Sequence, residues 1–390
     1  MARAAPCCQG IGLPQLAAAF HFQPNGQLPT VVASQARAWL EHRRGTQLLV
    51  DLVFSLTQVL IDLNGWTAGH RSDILSLRAA PIQAVFLGYP ATTGAAYMDY
   101  MITDVTVSPP DLARHYSEAL VLVPGCYYTN DHARYHAKEA RDFAAAGAPG
   151  SPSRDAYVHA QRREAGLPAA ATLVANFNQL YKITPDVFDA WMLAVAGETK
   201  ASFWQPLPLA APGASAQQGR MRQRARVLGV REEQLVFTNT TNIVEFVRRC
   251  GLADLVLDTY PVSAHTVAMD VLWMGTPILT RPGESFASRV ASSVLGALGL
   301  SGMLLARSPA DYTALAARLL RGPGAHRRRL LLRRTIETRR DSYPLFDRHR
   351  QAALLELASR LMFELHAAGL ARRHLVLAAP SSLRNRAVPK

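Results

Sequence analysis

Between residues 171 and 298 short apolar runs alternate with amphipathic stretches, and this alternation limits the accessible folds more than any other feature of the chain. Ala171–Ala175, Leu235–Phe237, Leu255–Thr259 and Pro277–Thr280 read as strands. Asp186–Val195, Ala216–Leu228, Thr241–Cys250, Thr266–Met274 and Ser285–Leu298 read as helices. Such a rhythm predicts an α/β fold with a parallel sheet covered by helices on both faces.

The first third of the chain carries weaker signals. A helix is expected over Val32–Arg43, and strand material over Gln47–Leu63, ending at Asn64-Gly65. Pro81–Leu87 is a second strand, stopped by Gly88-Tyr89-Pro90, and Tyr100–Val105 is a third. The segment from Ala137 to Pro168 is rich in Ala, Gly, Ser, Pro and charge, which predicts a linker or an exposed insertion. A long amphipathic helix is expected from about Arg348 to His366, followed by a mobile tail after Gly369. At 390 residues the chain can hold two domains sharing a cleft, a typical domain taking roughly 100–200 residues.

No run reaches the roughly 18–20 apolar residues of a membrane span. The longest candidate, Leu48–Leu63, is broken by Asp51, Gln58 and Asp62. The formal charge of +13 favours anionic partners, and its densest cluster is His326-Arg327-Arg328-Arg329 with Arg333-Arg334 and Arg339-Arg340. Interleaved with Leu330, Leu331, Leu332 and Ile336, these arginines suit a helix with one solvated basic face. Nucleic-acid binding is disfavoured, because no zinc-finger spacing or RNA-recognition motif accompanies them. Cys7-Cys8, Cys126 and Cys250 form neither a disulfide framework nor a metal pair, which fits a reducing compartment. Met1–Phe20 lacks the features of a secretory signal, while an acid-poor organellar presequence stays open.

In an open parallel sheet ligands bind beyond the carboxyl ends of the strands. One such end is Asn176-Phe177-Asn178-Gln179-Leu180-Tyr181-Lys182, where Gln179 can bond a base or sugar and Lys182 supplies a point charge for phosphate. A second runs from Asp258 to Thr266 into the expected helix. Its N-terminus offers unpaired N–H groups to a diphosphate, with His265, Thr266 and Asp270 close by. Taken singly, Ser263 or Thr266 is an ordinary N-cap, Asp270 a carboxylate favoured by the helix dipole, and Arg289 a helix-surface residue. A third end, Gly88 to Gly94, is a tight turn that carries no chemistry by itself.

Several stretches together resemble the catalytic region of the protein O-linked N-acetylglucosamine transferases. They are Asp62-Leu63-Asn64-Gly65-Trp66-Thr67, Ala80-Pro81-Ile82-Gln83, Leu87 through Gly94, Met98 through Asp104, Phe177 through Ile183, and Leu252-Ala253-Asp254. His265-Thr266, Met269 through Trp273, Gly275-Thr276-Pro277, Pro282-Gly283-Glu284 and Ala287 through Val290 complete the series, over roughly residues 59 to 370. The resemblance implies a GT-B fold of two Rossmann-like lobes, the N-terminal one truncated. It also implies inverting, metal-independent transfer from UDP-GlcNAc to protein Ser or Thr hydroxyls, in the cytoplasm and/or nucleus. Lys182 and His265 are then the catalytic candidates. Gln179, Tyr181, Arg249, Thr266, Val267, Asp270, Leu87 and Gly88 surround the donor: Thr266 at the diphosphate, Asp270 at the ribose, Arg249 beside the nucleotide, and Leu87, Gly88 and Tyr181 in the sugar pocket.

The lobes so implied are residues 1–135 (a partial N-terminal lobe), 136–168 (linker or insertion), 169–345 (the UDP-sugar-binding lobe), 346–370 (C-terminal helix) and 371–390 (basic tail). The sequence departs from the family at Ile243 and Phe246, where a Lys and a His face the nucleotide, at Val267 in place of a second threonine, and at Gln58 in place of a histidine. The family's His-Pro-x-x-His segment has no counterpart, His21 and His70 standing outside any such motif. An inactive nucleotide-sugar-binding or protein-interaction module is therefore the alternative, and a GDP-fucose donor a third, since plant-type O-fucosyltransferases share the architecture.

Overall fold

The computed structural model describes residues 57–207, 214–239 and 242–378, together with the strand Ala18–Phe20. The expected helix Val32–Arg43, most of the 47–63 strand, Cys7-Cys8, His21 and the end of the tail lie outside the described residues. The chain divides into two compact units, one holding residues 11–129 and 347–390, the other residues 130–346. Among the described residues no helix is long and apolar enough to cross a membrane.

In the first unit β1 (Ala18–Phe20), β2 (Val59–Asp62), β3 (Ile82–Phe86), β4 (Tyr100–Asp104) and β5 (Ala119–Val123) lie side by side in that order. Beyond β5 comes the strand Leu375–Val376, so part of the segment expected to be a mobile tail extends this sheet. His374 Nδ1 accepts the Leu120 N–H at 2.9 Å just before that pairing begins. All neighbours are parallel except β1 with β2. β3, β4 and β5 are buried throughout, which explains their largely apolar composition, Gln83, Thr103 and Asp104 being the buried polar exceptions.

Two loops at the carboxyl ends of β2 and β3 meet backbone to backbone. A Cβ on Gly88 would lie 2.2 Å from the Leu63 carbonyl oxygen and 2.9 Å from Asn64 Cα. Leu87 beside it takes a left-handed φ of 70°, a conformation costing a branched residue about 1–2 kcal/mol. The following turn is tied down by the buried Glu118, whose carboxylate accepts from Thr92 Oγ1 and the Thr93 N–H, both at 2.7 Å, and from the Thr93 hydroxyl. Gly88→Ala is expected to force the 63–66 and 87–89 loops apart and to destabilise the protein by about 1–3 kcal/mol, as overpacking does. Denaturant titration against wild type measures it.

In the second unit β6 (Thr172–Ala175), β7 (Ala201–Leu207), β8 (Leu235–Asn239), β9 (Leu255–Leu257) and β10 (Ile278–Leu279) form a parallel sheet in the order β10-β9-β6-β7-β8. The helices α1 (Ala137–Ala145), α2 (Pro152–Glu164), α3 (Pro185–Ala196), α4 (Ala214–Val227), α5 (Ile243–Cys250), α6 (Thr266–Trp273), α7 (Phe286–Ala297), α8 (Pro309–Leu320) and α9 (Ala325–Arg340) belong to it. Trp191 of α3, fully buried, stacks on Phe203 of β7 at 5.3 Å and donates to the Tyr312 hydroxyl of α8 at 2.9 Å.

Three features differ from the sequence reading. Residues 136–168, expected to be a linker or insertion, hold α1 and α2. Arg154 and Arg162 of α2 are buried there, Arg154 on Glu337 at 2.8 Å and Arg162 on Asp254 at 2.9 Å. β7 has no counterpart among the expected strands, because Gln205 and Pro206 interrupt its apolar run; all seven residues are nonetheless buried. The arginines of α9 do not form one solvated face. Arg329 donates to the Leu319 carbonyl, Arg333 to those of Ala253 and Met274, Arg339 to those of Leu298 and Gly299, and Arg340 to that of Trp273. These are the orphan carbonyls at or just beyond helix ends, where a cation also meets the negative end of the dipole. These four arginines thus serve contacts within the fold rather than a solvated face.

Candidate functional site

The strand order of the second unit reverses between β6 and β9, and a crevice for ligands opens beyond the carboxyl ends at such a switch point. Both loops singled out from the sequence start there. β6 leads into Asn176, whose Nδ2 donates to the Leu257 carbonyl at 2.8 Å and whose Oδ1 accepts the Asn178 N–H at 3.1 Å. The chain then makes one 3-10 turn, Leu180–Lys182, before α3. β9 leads through residues 258–265 to α6, with His265 at the N-cap making no side-chain capping bond.

Lys182 joins the two loops. Its Nζ donates to the Ser263 carbonyl at 3.1 Å, three residues before α6, and lies 3.5 Å from Asn178 Oδ1. The ammonium group and the helix start therefore share one locality. Behind them sits Asp258, which the sequence reading did not single out. Its Oδ1 accepts from Asn178 Nδ2 at 3.0 Å and from the Thr259 and Ala264 N–H groups at 2.8 Å. Its Oδ2 accepts the Thr280 hydroxyl at 2.6 Å. Burial pushes this carboxyl above the usual range, while the Thr280 bond, the Lys182 charge and the two amides hold it down. A buried carboxylate with four donors is a hub. Only the register of four separate segments reveals it.

His265 is pushed down from near 6.5 to about 4, first by burial and then by the Lys182 charge, against the Ala287 carbonyl bond that favours the charged ring. Its Nε2 lies 3.0 Å from that carbonyl oxygen. A carbonyl only accepts, so the proton is on Nε2 and Nδ1 keeps a lone pair at neutral pH. A folded-state value below the unfolded one means that the unfolded chain binds the extra proton first. Stability contributed here is present above about 6.5 and is lost as pH falls toward about 4. Wild type is therefore expected to lose melting temperature relative to His265→Asn between pH 6.5 and 4.5; parallel melting curves would contradict it.

The other candidates are distributed as follows. Gln179 is half-buried, and its side chain makes no hydrogen bond among the described residues. Thr266 and Val267 are half-buried in the first turn of α6. Asp270, one turn further, is buried, with Oδ1 2.7 Å from His132 Nε2. Tyr181 is exposed, at 81% of its surface. Arg249 on α5 donates to Glu245 at 2.6 Å and to the Asn239 carbonyl at 2.9 Å. Phe246 of the same helix packs edge-on against Phe177, 5.7 Å between ring centres. Arg289, expected on a helix surface, is buried and donates to the Gly283 and Glu284 carbonyls. Leu87 and Gly88 belong to the first unit. A cavity of about 410 Å³ between α3 and α8 is lined by Asp258–Tyr260, Arg281 and Tyr312 among others; of the site residues above it shares only Asp258 and Thr259.

Two parallel α/β units, the second with a cation and a helix start converging at its switch point, define the GT-B class of glycosyltransferases. More narrowly, the chain belongs to glycosyl transferase family 41, whose model matches residues 55–145 and 136–355. It is 37% identical over 319 residues to a protein of Arabidopsis thaliana named probable UDP-N-acetylglucosamine–peptide N-acetylglucosaminyltransferase SEC, covering 81% of this chain and 30% of that one. A UDP-N-acetylglucosamine–peptide N-acetylglucosaminyltransferase of Caenorhabditis elegans is 30% identical over 353 residues, covering 67% of this chain and 30% of the relative. Among solved structures, a mutant of the Thermobaculum terrenum O-GlcNAc transferase superposes with a TM-score of 0.65 at 26% identity, covering 83% of this chain and 56% of that one. The chain thus spans about 30% of the length of these curated relatives.

Proposed function

We propose that this chain transfers N-acetylglucosamine from UDP-GlcNAc to Ser or Thr hydroxyls of proteins, with inversion at the anomeric carbon. The observation that carries the reading is the 3.1 Å bond from Lys182 Nζ to the Ser263 carbonyl, which sets an ammonium beside the start of α6. As the acceptor oxygen gives up its proton to water and bonds to the anomeric carbon, the bond to the β-phosphate oxygen breaks and negative charge grows on the departing UDP. Lys182 and the first amides of α6, with the Thr266 hydroxyl, meet that charge. They supply the counter-charge that a metal provides in other transferases, so no metal or other cofactor is required.

His265, neutral at physiological pH, offers Nδ1 as an acceptor to a sugar hydroxyl. Asp270 holds the ribose, Gln179 bonds the nucleotide, and Arg249 braces its surroundings through Glu245. Tyr181 faces the sugar. Val267 removes one hydroxyl from the phosphate site. Ile243 removes a polar contact to the nucleotide, while Phe246 presents a ring against which uracil can stack. The setting is a reducing one, the cytoplasm or nucleus. Neither a membrane nor a nucleic acid is expected as a partner, most of the α9 arginines being engaged by carbonyls.

The lost hydroxyl at Val267 favours one second reading, a module that binds UDP-GlcNAc without turning it over. Calorimetry with UDP and UDP-GlcNAc, followed by transfer to a Ser/Thr peptide, separates the two. Binding with transfer supports the enzyme and binding without transfer the module; neither binding nor transfer refutes the donor site.

A further inference from the structure

His132 has no role in the functional reading so far, yet it makes a short contact to one of its residues. Its Nε2 lies 2.7 Å from Asp270 Oδ1, and both side chains are buried, at 5% and 4% of their surface. The imidazole is itself fixed on every side. Nδ1 is 3.3 Å from Asn130 Oδ1, and that amide is oriented by donating Nδ2 to the Leu345 carbonyl at 2.9 Å. Trp273 and Phe346 flank the ring, each 5.9 Å between centres, and His136 stands at 5.4 Å. Asp270 Oδ2 takes no hydrogen bond among the described residues.

We propose that His132 is a positioning residue for Asp270, locking the carboxylate by Oδ1 so that Oδ2 is presented to the ribose hydroxyls of a bound uridine nucleotide. The torsion that turns a carboxylate about its last carbon–carbon bond is broad and roughly two-fold, so an untethered Asp270 samples orientations that waste its acceptor. A short bond to a ring that cannot move removes this freedom before the nucleotide arrives, which is how preorganisation raises affinity. Oδ2 has lone pairs for the vicinal 2′ and 3′ hydroxyls. The inference rests on the proposed assignment of Asp270 to the ribose.

The test compares UDP with 2′,3′-dideoxy-UDP, titrated by calorimetry into the full chain. Wild type is expected to prefer UDP by about tenfold, the effect of one charge-assisted hydrogen bond. His132→Phe keeps an aromatic ring against Trp273 and Phe346 but deletes the donor. It is expected to bind both ligands alike, within threefold, with its affinity for the dideoxy compound unchanged. His132→Gln, which restores an N–H toward the carboxylate, is expected to recover part of the preference. Should the Phe variant fail to fold in a thermal melt, His132→Asn, too short to reach Oδ1, is read by the same ratio. A donor-deleted variant that keeps the wild-type preference overturns the inference, and so does one that weakens both ligands equally. A wild type without preference refutes the ribose role of Asp270 itself, and the positioning role falls with it.

Discussion

Lys182→Ala is expected to lower turnover of UDP-GlcNAc by about 10²–10³-fold, the usual consequence of removing one preorganised group aimed at developing charge. Affinity for the intact donor should fall much less, because the charge on the bridging oxygen exists fully only as the bond breaks. Steady-state kinetics with a Ser/Thr peptide measures both, and transfer at the wild-type rate would remove Lys182 from the mechanism. The same variant carries an internal check. The Lys182 charge is one cause of the depressed His265 value, so the imidazole should titrate above about 4 once the lysine is gone. Nuclear magnetic resonance of the ring protons reads that shift independently of activity.

Asp258→Ala should have the largest effect on stability. It leaves the Asn178 amide, the Thr280 hydroxyl and the Thr259 and Ala264 N–H groups without their acceptor in a buried setting. Each unsatisfied donor costs about 1–3 kcal/mol, partly recovered by relaxation, so a loss of about 4 kcal/mol is expected. For a unit of this size that corresponds to a melting temperature lower by about 10 °C. Asp258→Asn keeps one acceptor oxygen and should lose less than half as much. Calorimetric melts of the two variants provide the comparison; equal losses would mean that charge rather than hydrogen bonding matters at this position. Because Ala264 directly precedes His265, nucleotide affinity should fall along with stability.

Lys182 and His265 were readable before any coordinates. A lysine in a chain that mostly uses arginine, and a helix start after an apolar strand, are local signals, and the order of many short motifs gave them a family context. The parallel sheet of the second unit followed from the same local alternation. Asp258 was hidden because it lies in the same kind of loop as its neighbours, while its partners come from residues 178, 259, 264 and 280. His132 was hidden for a similar reason, its contact to Asp270 spanning 138 positions. β7 escaped because Pro206 and Gln205 break the pattern of a strand, although β6 and β8 hold it from both sides. Helices α1 and α2 were hidden by glycine, proline and charge, and only the buried contacts of Arg154 and Arg162 show why those charges are tolerated.

The sequence by itself determined the class of fold and, β7 apart, most of the alternation of strands and helices from residue 171 to residue 298. Periodicity and turn chemistry act over a few residues, and such information is written directly in the chain. The tertiary structure alone decided which arginines are consumed on helix ends, which carboxylate organises the loops beyond β6 and β9, and which imidazole holds Asp270. Those outcomes depend on hydrogen bonds and burial between segments tens to more than a hundred residues apart, and the strength of such contacts is set only when packing excludes water from both partners.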